Sequence, residues 1–162
     1  MIQLQPLGKV DLELVKWLAK ELEKKFATEV RILPPEKIPE TCFDNTRKQF
    51  NSTCILYSYR AKEKTLLVTS EDIYADHMNF VFGEAEILGK RAIVSYYRLR
   101  TQDEEIFKQR VLKEAVHELG HVFGLKHCKN PGCVMNFSSC VLEVDKKTSS
   151  FCSRCFSKIK IE

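Results

Sequence analysis

The chain has 162 residues, enough for one domain with a single continuous core, and 44% hydrophobic and 30% charged residues are ordinary for a globular protein. A net charge of +4, with basic and acidic residues interspersed, leaves no basic stripe of the kind that grips nucleic acid. No run approaches the roughly 18 apolar residues that cross a bilayer, and the start MIQLQPLGKV lacks a basic, apolar leader; a monomeric cytoplasmic protein with no membrane or nucleic-acid partner is expected.

Residues 2–6 read as a strand, and Asp11 opens a helix to Phe26 with Leu14, Leu18, Leu22 and Phe26 on one face. Residues 30–33 form a second strand closed by Pro34 and Pro35, and Pro39 keeps the following loop non-helical. Asp44 or Asn45 is expected to cap a second helix reaching Tyr59. Residues 66–69 are a β run, and residues 79–87 and 91–98 are two strands of a hairpin turning at Leu88-Gly89. The longest helical pattern runs from Gln102 to Gly124, with Asp103, Glu104 and Glu105 in its first turn, where the helix dipole favours negative charge. Beyond it the chain is irregular and rich in cysteine, with a short helix expected over residues 148–160.

The long helix ends in His117-Glu118-Leu119-Gly120-His121. Residues four apart on a helix are offset by only about 40°, so both imidazoles project toward one ion while Glu118 reaches water held beside it. Chance matches to this five-residue pattern occur roughly once in 100 chains of this composition. The pattern continues through Gly124 to His127, which takes coincidence below about one in 100,000. Gly124 lets the helix end in a left-handed turn, so the chain returns His127 as a third neutral nitrogen ligand. Three histidines leave zinc a fourth position for water and substrate.

Of seven cysteines, Cys128, Cys133, Cys140, Cys152 and Cys155 fall in the last third of the chain. Without a secretory leader a disulfide framework is disfavoured, and metal binding becomes the default use. Cys128 and Cys133, with the pair Cys152 and Cys155, supply the four thiolates of a closed structural zinc site; a redox or disulfide pair is the competing use of the same residues. Cys140 is left over as a buried or free thiol, Cys54 is expected in the core, and Cys42 is expected as a loop or structural thiol.

The elongated histidine motif followed by Met135 resembles the metzincin clan of metalloproteases. The order of third histidine, adjacent cysteine, second cysteine, methionine and terminal cysteine pair is similar to the archaemetzincins in particular. The runs Val134-Met135-Asn136-Phe137-Ser138, Leu142-Glu143-Val144-Asp145 and, less specifically, residues 76–83 add to that resemblance. It implies an α+β, compact metzincin-like zincin fold. In that fold an N-terminal mixed twisted sheet with helices ends in the active-site helix near residue 124, and a small irregular C-terminal subdomain with a terminal helix covers about 125–162. It also implies Met135 as the floor under the histidines, two Zn2+ (one catalytic, one structural), a peptide or protein substrate, and Glu118 as general base. An edge strand at residues 79–86 would lie beside the cleft, with Gly83 either permitting close backbone approach or relieving a bulge. A zinc-holding, peptide-binding protein with little or no turnover is the alternative of a different class.

Overall fold

The protein is described here over residues 1–159 of a computed structural model. Its main sheet has five strands in the order β2-β1-β5-β8-β7, formed by β1 (Ile2–Leu7), β2 (Val30–Ile32), β5 (Lys64–Thr69), β7 (Gly83–Ala85) and β8 (Arg91–Ser95). The first four strands in that order run parallel, and β7 pairs antiparallel with β8 at the edge, Gly83 opposite Val94 and Ala85 opposite Ala92. The central strand β5 reads as a nearly unbroken apolar run because both of its faces are covered. Leu66 and Val68 point into the core shared with the two long helices, while Leu67 joins Leu7 and Ile93 against a second layer on the opposite face.

The two long helices are α1 (Leu12–Phe26) and α3 (Glu104–Val122). Each begins where the side chain of an aspartate accepts hydrogen bonds from unpaired first-turn amides: Asp11 from Glu13 and Leu14, and Asp103 from Glu105 and Ile106. Leu14, Leu18, Leu22 and Phe26 of α1 are buried, and each such side chain contributes about 1.5–3 kcal/mol of burial. The second layer is a small sheet of β3 (Phe43–Asp44), β4 (Gln49–Asn51) and β6 (Ile73–Tyr74), with α2 (Ser52–Ser58) following β4. Two short helices close the described chain, α4 (Val141–Lys146) and α5 (Ser153–Lys158). Among the described residues no helix is long and apolar enough to cross a membrane.

The structure corrects the sequence-based expectations in several places. The helix expected from Asp44 to Tyr59 is a β3–β4 hairpin followed by the short α2. Asp44 does gather amide hydrogens, from Thr46 and Arg47, but it closes a turn in which Lys48 takes φ +58. The helix cap is Asn51, which accepts from the Cys54 amide. An aspartate side chain satisfies a turn as readily as a helix start, and the partnering of Phe43 with Phe50 decides the case here.

That hairpin also brings Cys42 and Cys54 together as a disulfide, with Cα atoms 5.5 Å apart, in place of the separate loop thiol and core thiol expected. The strand expected over residues 79–87 is confined to β7. Before it, the carbonyl groups of Met78 and Asn79 are taken by the Arg47 and Gln49 side chains and are withdrawn from any ladder. Cys140 is free and exposed. The terminal helix is the shorter α5, and the end of its expected range, residue 160, lies outside the described residues; α4 was not anticipated.

Candidate metal centres and their cleft

Helix α3 presents Glu114, His117, Glu118 and His121 along one face to a cleft of about 1000 Å3. The segment 75–85, including β7, and the residues Phe137, Ser138 and Ser139 line it as well. His117 and His121 are buried, as is Glu118, at 6% exposure. After α3 the chain reverses at Gly124, whose φ of +104 only glycine adopts without strain. The Gly124 and Leu125 amides donate back to the carbonyls of His121 and Gly120. This helix ending returns His127 to the other two histidines, with ring centroids 5.2 Å from His117 and 4.9 Å from His121.

The reversal also fixes the imidazole protons. His117 Nδ1 lies 2.8 Å from the Val134 carbonyl, and His121 Nδ1 lies 2.7 Å from the Leu125 carbonyl. A carbonyl only accepts, so both Nδ1 atoms carry hydrogen and both Nε2 lone pairs remain free. Burial, reinforced by the positive Lys147, pushes His117 well below the ordinary histidine range; burial likewise lowers His121 and His127. The three rings are therefore neutral at pH 7, as metal ligation requires, and their ligand atoms lie within 4.8 Å of one another. Burial pushes the Glu118 carboxyl well above the ordinary carboxylate range, with the negative Glu114 adding to the effect.

Met135 is fully buried and packs against Gly120. Gly120, inside the motif, lets it sit there: a Cβ at Gly120 would meet Met135 Sδ at 2.5 Å. Gly83 has a comparable steric task, since a Cβ there would collide with the Ile93 carbonyl oxygen and approach Glu118 Cγ to 2.8 Å. The close approach at Gly83 is thus between β7 and α3, and β7 pairs with β8 without a bulge.

Cys128, Cys133, Cys152 and Cys155 form a second cluster, with Sγ atoms 3.9 Å apart between Cys128 and Cys152 and 3.8 Å apart between Cys133 and Cys155. Four sulfurs placed tetrahedrally at zinc–thiolate distance stand about 3.8 Å apart, so the set fits zinc. The amides of Asn130, Cys152 and Cys155 point at Sγ atoms of Cys128, Cys133 and Cys152, a pattern that stabilises thiolate. The Cys155 amide is the main cause that lowers Cys152 to about 6, whereas burial raises Cys133 and Cys155. The two centres share backbone: the Cys128 amide donates to the Met135 carbonyl, and the Asn136 amide side chain donates to the Cys128 and Asn130 carbonyls.

Residues 41–161 match the profile of Peptidase family M54. The chain belongs to that family. An archaemetzincin from Archaeoglobus fulgidus is 52% identical over 159 residues, 98% of each chain, and its crystal structure superposes with a TM-score of 0.94 over 98% of this chain and 99% of that one. An archaemetzincin from Methanocaldococcus jannaschii is 46% identical over 98% of this chain and 92% of its own. The crystal structure of a zinc-dependent peptidase from Methanocorpusculum labreanum, 30% identical, gives a TM-score of 0.89 over 99% of this chain and 100% of that one. The M54 chain is an α+β zinc metallopeptidase.

Sequence reading overlooked four residues of this M54 site. Gly120 lies inside the motif, but the spacing gives it no task. Glu114 stands one turn before Glu118, a spacing that could have placed it in the cleft. Ser138 and Lys147 carry no such signal, since serine and lysine are ordinarily exposed.

Proposed function

We propose that His117, His121 and His127 hold the catalytic zinc, that Glu118 is the general base, and that Cys128, Cys133, Cys152 and Cys155 hold a second, structural zinc. The observation carrying the first part is the convergence of three neutral imidazoles, two of them with Nδ1 committed to backbone carbonyls, beside one buried carboxylate. When bound, the ion supplies Lewis acidity to the scissile carbonyl and to the attacking water. Glu118 takes a proton from that water as its oxygen bonds to the carbonyl carbon, then delivers it to the amine nitrogen as the carbon–nitrogen bond breaks. Burial, which raises the Glu118 carboxyl, suits this shuttle, because the group must both accept and return a proton.

The peptide extends along the free edge of β7 and takes hydrogen bonds as an added antiparallel or parallel strand. Met78, Phe80, Phe82, Ile87 and Phe137 give the cleft apolar walls for its side chains. The chain acts as one domain, with about 1–124 carrying the sheet and active-site helix and the described residues from about 125 folded around the cysteine cluster. Met135 and Gly124 belong to the join between them.

The test combines metal counting with hydrolysis of a peptide library. Wild type is expected to hold two zinc ions per chain and to release fragments. Glu118→Ala should keep both ions and lose about 100-fold or more in rate. Undiminished hydrolysis by that variant would sink the assignment of the base.

A further inference from the structure

Beside the histidines the cleft has a polar corner that the hydrolytic machinery does not use. Glu114 of α3 and Ser138 both line it and are 3% and 8% exposed. Neither Glu114 Oε2 nor Ser138 Oγ has a hydrogen-bond partner among the described residues. Lys147, 4% exposed, stands behind them: its Nζ donates to the Asn136 carbonyl at 2.9 Å and lies 2.9 Å from Glu114 Oε2. That last contact is a buried ion pair. Buried polar atoms in folded proteins are nearly always satisfied, so a hydroxyl left open in the wall of a peptide cleft, with a carboxylate whose one partner is the Lys147 ammonium, marks the place of a ligand's polar groups.

We propose that Glu114 and Ser138, backed by Lys147, form a side-chain subsite that selects a neutral hydrogen-bonding residue of the peptide next to the bond that is cut. The inference rests on the peptidase reading of the cleft and adds a substrate class to it. Charge balance selects neutrality. Glu114 and Lys147 cancel, so a lysine or arginine side chain would meet the Lys147 ammonium and a nearby metal charge, while an aspartate or glutamate would meet the Glu114 carboxylate. Either charge would be buried without a partner of its own. A carboxamide or hydroxyl instead gives an N–H or O–H to Glu114 and accepts from or donates to Ser138. An aliphatic side chain would leave the Ser138 hydroxyl desolvated and unpaired, which is the arrangement by which polar sites reject apolar analogues.

The experiment uses the zinc-loaded full chain in two arms. The first is a library digest that reads residue preference on each side of the cleaved bond. The second is calorimetric binding of peptides with a reduced, uncleavable bond, carrying Gln, Leu, Glu or Lys on one side or the other. Wild type should favour Gln over each of the other three by about tenfold at one of the two positions. Ser138→Ala should cut the Gln-to-Leu ratio at least about threefold. The volume-conserving double variant Glu114→Leu with Lys147→Met should invert that ratio, because the corner becomes apolar without a lone buried charge.

Equal binding of the four peptides at both positions would overturn the subsite, as would a ratio unmoved by Ser138→Ala; a corner satisfied by water alone gives that result. Should the double variant fail to fold, Ser138→Ala still decides. Binding selectivity without cleavage would count against hydrolysis and for the subsite, and cleavage without selectivity would do the reverse.

Discussion

At the scale of single residues, Gly120 shows how a position that ligates nothing is still constrained by the site. Alanine is favoured over glycine inside a helix by about 1 kcal/mol. Here the added methyl would press on Met135 Sδ at 2.5 Å and on Phe151 at 3.2 Å, and overpacking of this kind costs about 1–3 kcal/mol. The clash outweighs the propensity. Gly120→Ala should therefore lower the melting temperature and weaken zinc retention, checked by thermal denaturation and chelator competition; a more stable variant would show that Met135 yields freely. The histidines, Glu118 and Gly124 were legible in the sequence because helix periodicity and one left-handed turn are local properties. Glu114, Ser138 and Lys147 were not, because their burial depends on three segments meeting.

At the scale of elements, α4 is held to α3 by charge. The Arg110 guanidinium donates two hydrogen bonds of 2.8 Å to the Asp145 carboxylate, and Lys113 donates to the Val144 carbonyl. Arg110 holds Asp145 below its ordinary 3.8. A carboxyl depressed by folding stabilises the protein fully above its unfolded pKa, and the contribution is lost as pH falls through the lower folded value. Wild type should therefore lose a stability increment below about pH 4 that Asp145→Asn lacks, and the variant should be less stable at pH 7 by about 1 kcal/mol, the pair being partly solvated. Denaturant titrations at pH 7 and pH 3 check this; an equal gap at both would refute it. Helix α4 itself was missed in the sequence. It is only six residues long, and Cys140, which precedes it, makes no side-chain cap, so its stability comes from this docking and not from its own pattern.

At the scale of the whole molecule, the Cys42–Cys54 disulfide and the four-cysteine cluster each gather a part of the chain with little regular structure. The Cys42–Cys54 disulfide closes a sequence separation of 12 around the β3–β4 hairpin, and a loop of that size is worth about 3 kcal/mol in chain entropy. Replacing both cysteines by serine should lower the melting temperature without changing the zinc content. Replacing Cys152 and Cys155 by serine should instead take the zinc count from two to one and loosen the segment around Met135, read by elemental analysis and proteolysis. An unchanged count would refute the four-thiolate site.

The sequence by itself determined the three histidines and their neighbouring glutamate, the four-cysteine set, the two long helices and the strands β1, β2, β5 and β8. The helices and strands are written in local apolar patterns, and the ligand sets in short spacings of histidine and cysteine. Only the tertiary structure decided which aspartate ended a turn and which capped a helix, that Cys42 and Cys54 face each other, and that a glutamate, a serine and a lysine meet in one corner of the cleft. Those outcomes depend on competition between contacts made by residues distant along the chain.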